Sequence, residues 1–218
     1  MIQPGAGCKT IYDDMESQKE LELKLREIKA FAFDIDGVLT DGSLLAMPDG
    51  DILRMFNTKD GFGIRTATEN GYPVAIITGG CSESIIHRAH SYGIEEADLY
   101  MLSKDKVKDF ELFCERHGLK SEQVAYVGDD IPDIPVIKAA GLGVCPCDAV
   151  EEVLEVADYI SSHPGGKGCA RDLIEKVLKP AGKWIFDPSR PWAGSFPEKI
   201  VEFAGKTGRN LNNKSVTK

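Results

Sequence analysis

The string FAFDIDGVLTDG, residues 31–42, sets Asp34 and Asp36 two positions apart where an apolar run ends. Residues two apart on a strand project to the same side. The pair would therefore converge beyond the strand's carboxyl end, where ligands bind in open parallel sheets. Two carboxylates gathered there repel each other and lose hydration unless a cation holds them. Mg²⁺ suits such a place: it takes one or two carboxylates and keeps water and phosphate oxygens as its other ligands. A bare D-x-D-G is equally what a strand running into a polar turn looks like, so the pair alone decides little.

Three further groups follow in order. Thr78 closes AIITGG and brings a hydroxyl to the end of a second apolar run, although a helix N-cap threonine would look the same. In LSKDKVKDF, Lys104 and Lys106 stand at a helix start, where a lysine can act as a point charge for phosphate. Alone, they would read as a solvated helix face. VAYVGDDIPD carries Asp129, Asp130 and Asp133 after another apolar run, and alone it would pass for an acidic surface turn. Four such groups at the ends of successive strands are poorly explained by coincidence.

The elements that must position them can be read from the same sequence. Ala30 to Ile35, Tyr72 to Thr78, Gln123 to Val127 and Leu142 to Cys145 are short, nearly all-apolar runs suited to strands buried on both faces. Between them lie helical stretches, Asp60 to Asn70, Ser82 to Tyr92 and Lys104 to His117, each followed by a glycine able to terminate a helix. This alternation predicts an α/β fold, a parallel sheet between helical layers. Ser43 to Met47 and Ile52 to Phe56, joined by Pro-Asp-Gly-Asp, predict a β-hairpin inserted after the first strand. Leu21, Leu25 and Ile28 recur at helical spacing, and Cys169 to Leu178 reads as a late helix. The chain thus divides into an N-terminal extension with a leading helix (1–29), an α/β domain (30–186) and a tail (187–218). In the tail, periodicity fades and the composition favours an extended or disordered segment.

The order D-x-D, strand-end Thr, Lys, G-D-x-x-x-D resembles the four-motif pattern of the haloacid dehalogenase superfamily. The resemblance implies a Rossmann-like three-layer sandwich and a two-step phosphatase mechanism. Asp34 would be the nucleophile and Asp36 the general acid and base. Thr78 and Lys106 would hold phosphoryl oxygens, with Lys106 fitting the pattern better than Lys104. Asp34, the Asp36 backbone carbonyl and Asp129 would ligate Mg²⁺, with Asp133 in support. The space between the motifs holds only the hairpin and core elements, so no large cap domain is expected.

In finer detail, DGVLTDG, the hairpin, FNTKDGFGIR, ITGG, YVGDDIPD and PGGKGCARD are similar to the 3-deoxy-D-manno-octulosonate 8-phosphate phosphatases over residues 28–187. That resemblance implies release of phosphate from the eight-carbon sugar acid in lipopolysaccharide precursor synthesis. It also implies a homotetramer whose neighbouring subunits complete each site. Around the substrate it sets Lys59, Asp60, Gly79, Gly80 and Arg88. Many members have Thr-Gly-Arg where this chain has Thr78-Gly79-Gly80; a subgroup shares Thr-Gly-Gly together with GDDIPD and a stretch like Gly182-Lys183-Trp184. The competing readings are a phosphatase for a nine-carbon, sialic-acid-like 9-phosphate and a catalytically weak scaffold subunit of the same fold.

Composition sets the outer bounds. With 218 residues, 42% hydrophobic and 28% charged, the chain is globular in type. A net charge of −9 disfavours a nucleic-acid partner. Apolar runs too short to span a membrane, and an N-terminus without signal-peptide character, point to a cytoplasmic protein. Cys145-Pro146-Cys147 is the one close cysteine pair, and it lacks partners at metal-ligand spacing. Gly165 to Gly168 has the make-up of an anion nest or of a tight turn into the late helix, with His163 as a loop residue beside it.

Overall fold

The computed structural model describes residues 18–48 and 50–184. A helix, α1, covers 18–27. After it come strand β1 (Ala30–Phe33), the hairpin strands β2 (Leu45–Ala46) and β3 (Ile52–Leu53), helix α2 (Thr58–Glu69), β4 (Val74–Ile77), α3 (Glu83–Ser91) and β5 (Leu99–Tyr100). The second half continues with α4 (Lys106–His117), β6 (Val124–Val127), α5 (Ile134–Ala139), β7 (Leu142–Cys145), α6 (Glu151–Leu154), β8 (Tyr159–Ile160) and α7 (Cys169–Leu178). The six-stranded parallel sheet runs in the order β5-β4-β1-β6-β7-β8.

Every residue of β1, β4, β6 and β7 is buried, and the period-two alternation divides their side chains between two cores. Phe31, Phe33, Val74, Ile76, Ala125 and Val127 face the layer of α1, α2, α3 and α7. Ala30, Ala32, Ala75, Ile77, Val124 and Tyr126 face α4, α5 and α6. The alanines on this second face leave room for Phe110, Phe113 and Tyr126, which are fully buried there. This is the three-layer α/β sandwich expected from the apolar runs.

Strand order reverses between β1 and β6. β1 pairs with β4 on one side and with β6 on the other, so the crossovers diverge there and leave a crevice at the carboxyl ends of both strands. Asp34 follows β1 directly, and Gly128-Asp129 follows β6. Fold topology alone therefore brings the first and last acidic motifs together.

The hairpin is shorter than expected. Only Leu45↔Leu53 and Ala46↔Ile52 pair, and the turn closes through Met47 N–H to the Asp51 carbonyl at 2.8 Å. Between β1 and β4 the chain holds only this hairpin and α2, and between β4 and β6 only α3, β5, α4 and short 3₁₀ turns. No cap domain occurs among the described residues. The expected tail, 187–218, lies outside them, as does Cys8.

Candidate active site

Asp34 enters the crevice with its backbone N–H on the Val127 carbonyl at 3.0 Å, which continues the β1–β6 ladder past the strand end. Its Oδ2 lies 2.9 Å from Lys106 Nζ, and the same ammonium lies 2.7 Å from Asp133 Oδ1. Lys106 is the first residue of α4, whose N-cap, Asp105, accepts the Lys108 N–H. The cap fixes the helix start, and that start aims Lys106 inward. Lys104 is exposed on the preceding loop, so geometry selects between the two lysines.

Asp133 is fully buried and organises the far wall. Tyr126 donates its hydroxyl to Oδ1 at 2.6 Å, and the N–H groups of Asp129 and Asp130 donate to Oδ2 at 3.1 and 3.3 Å. With Lys106 added, both oxygens of Asp133 are fully engaged. Asp129 then turns its carboxylate toward Gly37, where a Cβ would lie 1.9 Å from Asp129 Oδ2. Gly37 also has φ +94°, a left-handed conformation suited to glycine. The glycine of D-x-D-G is thus required for shape as well as for conformation.

Asp34, Asp129 and Asp133 each bring a carboxylate oxygen within 4.8 Å of the others. Burial and the neighbouring Asp133 charge raise Asp34 to a pKa of about 6, against the opposing pull of Lys106. Burial together with Asp34, Asp133 and Asp130 raises Asp129 to about 7. Asp34 Oδ1 and Asp129 Oδ1 are both buried and without a hydrogen-bond partner. Two orphaned anionic oxygens in one crevice fit a hard divalent cation, which would satisfy both and remove their repulsion. Asp34 and Asp129 are free to ligate, whereas Asp133 is committed to positioning them.

These shifts give a prediction with a definite sign. Folded Asp34 and Asp129 hold protons more tightly than unfolded carboxylates, whose pKa is near 3.8. The folded state therefore binds more protons between about pH 4 and about pH 7, and stability falls as pH rises through that window. In a chelator, Tm should drop by on the order of 5 °C between about pH 5 and about pH 8. Added Mg²⁺ should raise Tm more at the higher pH. A chelated Tm that stays flat or rises over this range would contradict the assignment.

Thr78 is buried at the end of β4, and its Oγ1 accepts the Gly80 N–H at 3.1 Å, which curls the Thr78-Gly79-Gly80 loop over the sheet edge. Asp36 points out of the crevice floor and is gripped by Arg54: Nε donates to Oδ1 at 2.7 Å and Nη2 to Oδ2 at 2.9 Å. Arg54 was not singled out from the sequence. The available signal was its phase: Ile52, Arg54 and Phe56 turn inward while Leu53 and Met55 are exposed. A charged side chain on the inward face of a strand needs a buried partner.

Asp60 is buried and accepts the Gly168 and Arg171 N–H groups, both at 3.0 Å, so it caps α7. α7 packs over this residue of the first turn of α2. Arg88 donates to the Tyr92 hydroxyl at 2.8 Å and stacks on the Tyr92 ring. Lys59 is exposed and lines a shallow cavity of about 320 Å³ with His163, Lys167 and Arg171. The Gly165, Gly166 and Gly168 amides donate to Asp148, the Val38 carbonyl and Asp60. That loop is the tight turn and not an anion nest. Trp184 closes the described part of the domain by packing edge-on against Phe62, with Arg171 over its ring.

Comparison with known proteins points to one chemistry. Residues 63–141 match a family described as haloacid dehalogenase-like hydrolase. The 3-deoxy-D-manno-octulosonate 8-phosphate phosphatase of Escherichia coli (strain B / BL21-DE3) is 35% identical over 183 residues, covering 84% of this chain and 95% of that protein. The corresponding phosphatase of Moraxella catarrhalis, solved with magnesium, phosphate and KDO, superposes with a TM-score of 0.71 at 30% identity, covering 85% of this chain and 98% of that one. A cobalt-bound Haemophilus influenzae phosphatase of the same description gives 0.72 at 31% identity, covering 78% and 99%.

Proposed function

The chain belongs to the 3-deoxy-D-manno-octulosonate 8-phosphate phosphatases, haloacid dehalogenase-like hydrolases, and from that premise we propose that it cleaves this eight-carbon sugar phosphate to the free sugar acid and phosphate. It is a phosphoric monoester hydrolase with Mg²⁺ as cofactor. The observation that carries the reading is Asp34 itself: one oxygen is held by Lys106, the other is buried and unpartnered, and Asp129 brings a buried, unpartnered oxygen to the same carboxylate cluster.

In this mechanism an oxygen of Asp34 attacks phosphorus as the P–O bond to the sugar breaks, forming an aspartyl-phosphate. Asp36 delivers a proton to the departing alkoxide and then takes one from the water that attacks the intermediate. Lys106 and the Thr78 hydroxyl hold phosphoryl oxygens as charge spreads over them. Asp34, Asp129 and the Asp36 carbonyl would hold Mg²⁺, which supplies charge neutralisation for the phosphoryl group. Asp133 acts through Lys106 and the Asp129 loop.

Purified protein with Mg²⁺ should release phosphate from 3-deoxy-D-manno-octulosonate 8-phosphate in preference to a nine-carbon 9-phosphate. A reversed preference would move the assignment to the nine-carbon acids, and no release from any sugar phosphate would favour a scaffold role.

The reading extends to a cytoplasmic homotetramer serving lipopolysaccharide precursor synthesis, with 30–186 as the catalytic unit, 1–29 an extension and 187–218 a tail. No described helix is long and apolar enough to cross a membrane. The hairpin supports assembly, since it leaves Leu45 62%, Leu53 43% and Met55 75% exposed on one small element, the kind of apolar patch that marks an interface. Light scattering should give a tetramer. Charges at Leu45 and Met55 should dissociate it and lower activity, and an active monomer would refute shared sites.

A further inference from the structure

Among the described residues, three buried side-chain polar atoms lack a hydrogen-bond partner: Asp34 Oδ1, Asp129 Oδ1 and Arg54 Nη1. The first two are anionic acceptors and suit a cation. The third is a cationic donor and asks for the opposite. A buried donor left unmatched is destabilising unless a ligand completes it. Arg54 is far from a loose surface residue, since its side chain is only 3% exposed. Its other two nitrogens are fixed in a bidentate fork on Asp36, so Nη1 is held in place by a planar, rigid group.

The position of that group can be read from Gly80. A Cβ built there would lie 2.7 Å from Arg54 Nη2 and 3.4 Å from Asp36 Oδ2. Gly80 is not in the left-handed region, so its lack of a side chain serves space and not backbone conformation. The guanidinium therefore rests directly on the loop that Thr78 starts, beside the carboxylate two residues from the nucleophile. Lys106 is already shared between Asp34 and Asp133. Of these two cations, Arg54 alone holds a nitrogen in reserve.

We propose that Arg54 is the hairpin-borne anchor of the phosphoryl group: with substrate bound, Nη1 donates to a phosphoryl oxygen and one fork nitrogen stays on Asp36, whose other oxygen is released to carry the proton for the leaving alkoxide. The inference rests on the reading of this crevice as a sugar-phosphate site. It adds that the hairpin supplies a ligand contact from within its own subunit, and that Gly80 is small to admit it.

Binding of inorganic phosphate in the presence of Mg²⁺, measured by calorimetry, tests this without relying on turnover. Loss of a charge-assisted hydrogen bond predicts that Arg54→Ala binds phosphate about 10- to 100-fold more weakly. Arg54→Lys should recover part of the loss. Gly80→Ala should weaken phosphate in the same direction, because a Cβ 2.7 Å from Nη2 would press the guanidinium out of its fork. Affinity for the sugar acid without its phosphate should be unchanged in all three. Unchanged phosphate affinity in Arg54→Ala would overturn the proposal. So would a loss confined to the sugar acid, which would give Nη1 to the carboxylate. A wild-type protein that binds phosphate but hydrolyses no sugar phosphate would instead refute the functional reading and leave the Arg54 contact standing.

Discussion

Asp34→Asn is expected to lower phosphate release at least about 10⁴-fold, because an amide cannot form the covalent intermediate and no second route is built into the crevice. The change is nearly isosteric, and the fold should survive it. The introduced amide would keep an oxygen for Lys106 while removing a carboxylate that burial and Asp133 already disfavour. In chelator at neutral pH, Tm of the variant should therefore equal or exceed that of the parent. The stabilisation by Mg²⁺ should shrink, since one of the two unpartnered oxygens loses its charge. Thermal unfolding with and without Mg²⁺, run beside the activity assay, separates these effects. Substantial residual turnover would exclude the covalent mechanism.

Asp133→Ala should be the most damaging substitution for stability. Its two oxygens receive Lys106, the Tyr126 hydroxyl and two backbone N–H groups; its removal would leave the buried Tyr126 hydroxyl and the Asp129 N–H without an acceptor and Lys106 with Asp34 alone. Breaking a buried charge pair from one side costs about 3–5 kcal/mol, and the unmatched Tyr126 hydroxyl adds to it. Activity should fall as well, because Lys106 and the Asp129 loop lose their anchor. Asp133→Asn, which keeps shape and some acceptors, should recover stability more than activity. Denaturant unfolding of the two variants would check this. A change below about 1 kcal/mol for Asp133→Ala would mean that the donors find water, and that the far wall is wetter than its geometry implies.

Why some of this was readable from the sequence, and some was not, has a physical basis. β1, β4, β6 and β7 are nearly continuous apolar runs because both of their faces are covered, and such runs stand out in any window. The acidic motifs sit at the ends of those runs, so their convergence followed from parallel topology without knowledge of side-chain geometry. The two-residue strands β5 and β8 and the short helices α5 and α6 were missed, since neither is long enough to display a period. The burial of Asp60 was not readable for a different reason. Its burial depends on α7, more than one hundred residues later in the chain, packing over the start of α2. Arg54 is hard to find because the hairpin strands pair over only two residues, too few for the inward phase of Ile52, Arg54 and Phe56 to stand out.

Phosphorylation of Asp34 during turnover can be tested by acid-quenching the enzyme with Mg²⁺ and phosphorus-labelled substrate, then reducing with borohydride and mapping the peptides. Label is expected on Asp34 before reduction, homoserine at that position afterwards, and neither in Asp34→Asn. Steady turnover with no labelled peptide, or with label on any other residue, would contradict it.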